Sequence, residues 1–265
     1  VAEHPENQPR IDAAGQRVVQ GYGILQPRVL APLPTRATTS LWQWLFAGQQ
    51  GLDPYSAMTS DVYQDFFSEG SFTGKGLLHV ATVHAVLGGR LPTDQVLSHD
   101  LLEGALARCA VVSDVTVVES EPEHSDTAAA RLHRWTRGDW QLWPFLLQAR
   151  RWGLSPLNRW KLLDNLRRSL VAPASLLLVV LAMAGLGLSA TLAVVVAAYA
   201  AAPLMGALAG WVPRSWALLG VRFVHEASVD LLRALAGGVW HLALLPQQAL
   251  LLGDAVVRTV HRQAV

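Results

Sequence analysis

The stretch LSHDLLEGALARCAVVSDVTVVE, Leu97 to Glu119, decides the fold. From Asp100 to Ala110 its apolar residues recur at helical spacing, whereas Asp114 to Glu119 alternates with the period of two that marks a strand. A helical pattern returns from Ser125 to Trp140. Strands separated by helices predict an α/β domain. In such a domain the side chains at the carboxyl ends of strands face the ligand crevice. Asp100, opening a helix after an apolar, strand-like step, is therefore a candidate general base for an attacking hydroxyl. The same carboxylate has a plainer reading as a helix cap, with Glu103 reaching back in a capping box.

Downstream, Arg131-Leu132-His133-Arg134-Trp135-Thr136-Arg137-Gly138-Asp139-Trp140-Gln141 gathers four cationic or potentially cationic side chains and two indoles. Guanidinium forks hold phosphate oxygens, and an indole face can carry a pyranose ring. This run is a candidate sugar-phosphate site. It also fits an amphipathic helix whose arginines meet lipid headgroups.

Upstream, Val18 to Gln26 reads as strand material interrupted by Gly21 and Gly23 and ended by Pro27, Pro32 and Pro34. Thr39 to Gly48 reads as a helix capped at Thr39 or Ser40, Gly51 to Tyr55 as a turn, and Ser60 to Phe67 as a short helix. Glu69 to Gly76 is a glycine-punctuated loop whose backbone can approach a ligand closely. Its Thr73-Gly74-Lys75-Gly76 lacks the spacing of a P-loop. His79, His84, His99, His124 and His133 show no paired metal-ligand spacing, so no metal site is assigned within this chain.

The chain has 265 residues, 51% of them hydrophobic, and a formal net charge of +1. The near-neutral balance hides an uneven distribution: nine Lys or Arg lie between Arg131 and Arg168, against Asp139 and Asp164. No charged residue or histidine then occurs from Ser169 to Pro213. A span needs about 20 apolar residues, so this length predicts two spans with a turn near Gly185 to Ser189. The flanking Arg167, Arg168 and Arg214 put their ends in the cytoplasm. A nucleic-acid partner is disfavoured because the basic block leads into a segment long enough to cross lipid. Leu231 to Leu252, with Arg233, His241 and Pro246, is a third candidate, either a functional span or an interfacial helix. Between Ser155 and Leu166, Leu157, Trp160, Leu163 and Leu166 oppose Arg159, Lys161, Asp164 and Arg167, as in a helix on the membrane surface. Cys109, the lone cysteine, reads as a small core hydrophobe.

Five segments, taken in order, carry a family likeness: Gly21 to Arg28, Ser60 to Asp65, Gly70 to Gly76, Leu97 to Gly104 and His133 to Gln141. Together they resemble the glycosyltransferase region of cyclic β-1,2-glucan synthases. A looser similarity extends to osmoregulated periplasmic glucan glucosyltransferases and to cellulose synthase among processive family-two enzymes. The resemblance implies a GT-A type α/β glycosyltransferase domain over residues 1–150, truncated at its N-terminus. An amphipathic interfacial helix (151–168) and a membrane region with two or three transmembrane helices (169–265) would follow. The implied setting is a bacterial inner membrane, with the catalytic domain cytoplasmic and the lipid bilayer as a partner.

The resemblance also implies roles. Asp100 matches the catalytic base, and His99 beside it falls on the acceptor side. Gln26 matches a strand motif along the acceptor path, and Phe72, Thr73 and Lys75 are implied acceptor contacts. Arg131, Arg134 and Trp135 match a motif usually opened by glutamine, with Trp135 as the acceptor platform. Arg131 replaces that glutamine and would, with Arg134 and Arg137, serve the nucleotide and leaving group. The implied reaction is inverting, processive transfer from UDP-glucose to a growing glucan chain. It would be assisted by a divalent cation, Mg2+ or Mn2+, whose aspartate pair lies upstream, since no Asp-x-Asp occurs here. By this reading the chain is part of a longer enzyme and inactive alone. Other readings are synthesis of a linear periplasmic or other β-glucan, and a non-catalytic membrane scaffold that retains the fold.

Overall fold

The computed structural model describes residues 2–30, 32, 40–46, 61–91, 96–120, 122–185, 187–213, 215 and 220–264. Thr39, Gly48, the turn from Gly51 to Tyr55, Ser60, Pro34 and Arg214 fall outside them. Two short antiparallel strands, β1 (Arg10–Ile11) and β2 (Val18–Gln20), open the chain. Gly21 then turns at φ +67° against the Gln8 backbone, a close approach that only glycine permits. The main sheet is β3 (Ile24–Leu30), central, with β4 (Leu77–Leu78) antiparallel on one side and β5 (Cys109–Val118) parallel on the other.

Pro27 does not end the strand, contrary to the sequence reading. The β3–β5 register shifts between Pro27 and Arg28, and at such an irregularity a residue without an N–H costs the ladder little. The helix starting at Asp100, α4 (Asp100–Ala107), is also shorter than its pattern suggests. Arg108 takes φ 57° and Cys109 is already in the sheet opposite Ile24. Parallel pairing thus claims residues whose local pattern is helical. The helices α1 (Leu41–Phe46), α2 (Val62–Phe67) and α3 (Val80–Leu87) precede α4. At α1, Ser40 N–H donates to Gln43 Oε1 at 3.0 Å and Gln43 N–H to Ser40 Oγ at 3.1 Å, a reciprocal cap.

The apolar centre joins Ile24, Val86, Leu102, Leu106 and Cys109 to Leu142, Phe145, Leu154 and Leu162. Burial pushes the Cys109 thiol up to about 12, so it behaves as the inert hydrophobe expected. Leu142 and Phe145 lie at the end of α5 (Ser125–Gln141) and in α6 (Trp143–Leu147); Leu162 is on α7 (Pro156–Ser169). Helix α7 keeps Trp160 and Leu163 on its outward face as expected, but not Leu166, and Lys161 leaves the polar face for the interior. It buries Asn158, Lys161, Leu162, Leu166 and Ser169 against the globular core, while Trp160 (51% exposed) and Leu163 face outward with Arg167. The reason is polar: Asn158 Nδ2 donates to Ala105 O at 3.2 Å and Lys161 Nζ to Gly70 O at 2.8 Å, bonds that fix the helix rotation.

Beyond α7 come α8 (Val171–Met183), α9 (Leu188–Gly210), α10 (Val221–Ala243) and α11 (Leu245–Ala264). Among the described residues α9 alone is long and apolar enough to cross a membrane, and almost none of its apolar surface is buried in protein. Helix α8, at 13 residues, is about 20 Å long, short of the roughly 30 Å hydrocarbon core. It qualifies only together with α7, across a 47° bend, as α10 does with α11 across 63°. The candidate span Leu231 to Leu252 straddles that second bend. Pro246 cannot continue a helix from α10 but fits the first turn of α11. One to three spans are therefore available. Helix α11 packs on both α8 and α5, burying Ala249, Leu252, Ala255 and Thr259. His133 Nε2 lies 3.0 Å from Asp254 Oδ2 across the α5–α11 junction.

Candidate functional site

Asp100 is the first residue of α4, and it does not cap that helix. The N-cap is His99, with no side-chain capping bond. Glu103 does not reach back to a backbone N–H but meets the His99 ring, Nδ1 to Oε1 at 2.8 Å. The capping-box alternative is thereby excluded, and the Asp100 carboxylate is left toward the loop in front of α4. Ser98 Oγ donates to its Oδ2 at 3.4 Å. Gly74 presses against it so closely that a Cβ there would stand 2.7 Å from Oδ2.

That loop, Ser71 to Gly76, is held from behind by Gln26. Its side chain is 0% exposed: Nε2 donates to Ser71 O at 3.0 Å, while Oε1 accepts from Thr73 N–H at 2.7 Å and Thr73 Oγ1 at 3.0 Å. Every polar atom of Gln26 is engaged in holding the loop. Phe72 is 4% exposed and packs so tightly on α4 that a Cβ on Gly104 would lie 2.7 Å from its own Cβ. Gln26 and Phe72 thus set the loop's position, and Thr73 to Lys75 form its outward part.

Lys75 pairs with Glu119, just beyond the end of β5. Burial lowers the Lys75 ammonium below its usual range, Arg131 pushes in the same direction and Asp100 opposes them. Lys75 therefore feels the charges of both Arg131 and Asp100. Burial raises the Glu103 carboxyl above the usual range, with His99 opposing and the Asp100 charge adding.

Helix α5 is brought against the turn in front of α4 through a glycine. Gly138 packs against Ser98, with a virtual Cβ 3.1 Å from Ser98 Cβ, and Gln141 Oε1 accepts from Leu97 N–H at 2.6 Å. Arg131, Arg134 and Trp135 lie on the same stripe as Gly138 by three-and-four spacing. Arg131 stacks over the Trp135 ring at 5.5 Å, and Arg134 is exposed. Arg137 falls off that stripe, and its Nε is buried without a hydrogen-bond partner among the described residues. His133 and Trp140 face the other way, toward Asp254 and toward Ser169 Oγ, which accepts from Trp140 Nε1 at 2.8 Å.

Among the described residues His99, Asp100 and Glu103 bring ligand atoms within 4.8 Å of one another, a grouping able to hold a metal ion. Two of those three atoms already satisfy each other, so the set does not fit a cation clamp on a diphosphate. Three contributors escaped the sequence reading. Gly74 was visible only as part of a flexible run, Glu119 as a strand end and Lys161 as a surface charge. Nothing in local spacing shows that their partners come from 26 to 92 residues away.

No family model matches the chain. Over 265 residues, 99% of the chain, it is 40% identical to the cyclic beta-(1,2)-glucan synthase NdvB of Rhizobium meliloti (strain 1021). The chain spans 9% of that protein's length. The likeness carried by the five segments thus extends along the whole chain, to a protein named as a glucan synthase.

Proposed function

We propose that this chain forms the acceptor and leaving-group half of a membrane-bound, inverting, processive glucosyltransferase that extends a β-1,2-glucan from UDP-glucose. The observation that carries the reading is the Asp100 carboxylate, free of any capping duty, facing a glycine loop beside Lys75 and Arg131. The 40% identity to a cyclic glucan synthase supports the substrate class.

In this mechanism the acceptor sugar lies over Trp135 and the outward edge of Thr73 to Lys75. Asp100 takes the proton of the acceptor hydroxyl as its oxygen attacks the anomeric carbon of glucose. The new glycosidic C–O bond forms while the bond to the diphosphate breaks, and UDP leaves with the electron pair. Arg131 and Arg134 oppose the negative charge gathering on UDP, the contribution that usually dominates such catalysis. Arg137, off the stripe, acts at longer range. Lys75, paired with Glu119 beside Asp100, orients the acceptor. A divalent cation would neutralise the diphosphate, and its carboxylates belong elsewhere in the full-length protein. The cleft opens on the cytoplasmic side of a bacterial inner membrane, anchored by α9 and by the outward apolar edge of α7.

The test uses membranes carrying the full-length protein, fed UDP-glucose, with linkage analysis of the product. Asp100→Asn should abolish glucan synthesis, and the wild-type product should contain β-1,2 linkages. Undiminished synthesis by the variant would remove Asp100 as base, and a product without β-1,2 linkages would overturn the assigned substrate.

A further inference from the structure

Lys161 is a buried cation far in sequence from every residue placed at the reaction. It sits on α7, 7% exposed, inside the globular domain. Its Nζ donates to Glu69 O at 3.0 Å and Gly70 O at 2.8 Å, lies 3.7 Å from Glu69 Oε1 and stands 5.0 Å from the centre of the Tyr63 ring. Burying an ammonium is costly unless it is paired and hydrogen-bonded. These contacts meet that requirement, and all of them fall on the segment leading into the active-site loop.

The segment is also held from the sheet side: Gln64 Nε2 donates to Val111 O at 3.0 Å and its Oε1 accepts from Val111 N–H, while Ser68 O accepts from Tyr22 Oη at 3.1 Å and Arg108 Nη2 at 3.0 Å. Asp61 caps α2 by accepting from Tyr63 N–H at 2.8 Å, and its second oxygen accepts from Ser71 N–H at 3.3 Å. Gly70 N–H donates to Cys109 O at 2.8 Å. Beyond Gly70 the chain passes directly to Ser71, Thr73 and Gly74, which Gln26 and Asp100 meet. On its other side α7 continues through Leu170 into the apolar α8. Lys161 is thus a point at which α7, which runs on into the apolar α8, grips the base of the loop facing Asp100.

We infer that Lys161 is a positioning residue: it fixes the Glu69–Gly70 carbonyls to α7, and so sets the placement of the Ser71–Gly76 loop against Asp100 relative to the membrane. This rests on the assignment of Asp100 as base. The effect belongs to the turnover of the bound acceptor and not to capture of the sugar nucleotide, whose arginines are on α5.

The experiment compares wild type, Lys161→Met, Lys161→Arg and Asp100→Asn in membranes carrying the full-length protein. It measures kcat and the KM for UDP-glucose per folded molecule, with folded protein counted by size exclusion in detergent. Lys161→Met should lower kcat at least tenfold with KM within twofold of wild type. Lys161→Arg, which can donate to both carbonyls, should recover half or more of the rate. Wild-type kcat per folded molecule in Lys161→Met would overturn the role, as would an arginine variant no more active than methionine. Should Lys161→Met be unaffected while Asp100→Asn is dead, the inference fails and the proposed reaction stands. An active Asp100→Asn sinks the reaction itself.

Discussion

Gly74, at φ +91°, faces Asp100 with 2.7 Å between its virtual Cβ and the carboxylate Oδ2. Two separate constraints meet at this residue, the backbone conformation and the missing side chain. Alanine at 74 would strain the backbone by roughly 1–3 kcal/mol and push either the loop or the carboxylate away. Gly74→Ala should therefore cut glucose transfer at least tenfold while the protein still reaches the membrane. Gly89, at φ +68° with nothing within 4 Å of a virtual Cβ, is the internal control. Gly89→Ala carries backbone strain without a clash and should retain most activity in the same assay.

Gln26 is held inside the domain by the loop it supports. Replacing it with leucine keeps the volume but strands Ser71 O and the Thr73 N–H without their partner. Each buried orphan costs about 1–3 kcal/mol, so Gln26→Leu should destabilise the domain by about 2–5 kcal/mol. Thermal unfolding of the detergent-solubilised protein measures the loss. A melting temperature equal to wild type would mean that the loop does not depend on this amide.

Much of this arrangement was legible because its signals are local. The helix–strand–helix order around Asp100, the Ser40 cap and the uncharged run from Ser169 to Pro213 each depend on neighbours within a few residues. That Asp100 does not cap α4 was not legible from spacing, because the His99–Glu103 pairing that replaces the capping box shows only in the fold. The burial of Lys161 on α7 was not legible for a related reason. The helix rotation is fixed by Lys161 and Asn158 bonding to carbonyls from distant segments, so a lysine lies inside while Trp160 and Leu163 lie outside. The bend at α10–α11 broke one segment that reads as continuous, Leu231 to Leu252, Pro246 being the local hint.

Glu103 supplies a pH prediction whose sign follows from the direction of its shift. Burial raises its carboxyl above the ordinary 4.5, so the folded state binds that proton more tightly than the unfolded state does. The stability associated with the protonated form is complete below about 4.5 and is lost as pH rises through the raised value. Glu103→Gln mimics the protonated form and can still accept from the His99 ring. Melting temperature plotted against pH above 4.5 should be flatter for the variant than for wild type. Parallel curves would show that Glu103 is fully ionised at no cost in the fold.

Ala255 is completely buried on α11, next to Asp254, whose carboxylate meets His133 on α5. Because α11 packs on both α8 and α5, it links the apolar α8 to the helix whose opposite face carries Arg131, Arg134 and Trp135. A leucine at 255 must displace a neighbour, at a cost of about 1–3 kcal/mol, and the displacement is passed to α5. Ala255→Leu should therefore lower the transfer rate and raise the KM for UDP-glucose, since Arg131 and Arg134, proposed to meet the leaving group, move while Asp100 and its loop do not. Val257, two residues on and 67% exposed, provides the comparison. Val257→Leu adds the same kind of bulk to the outward face and should leave both constants unchanged. Equal behaviour of the two variants would show that α5 holds its place without α11.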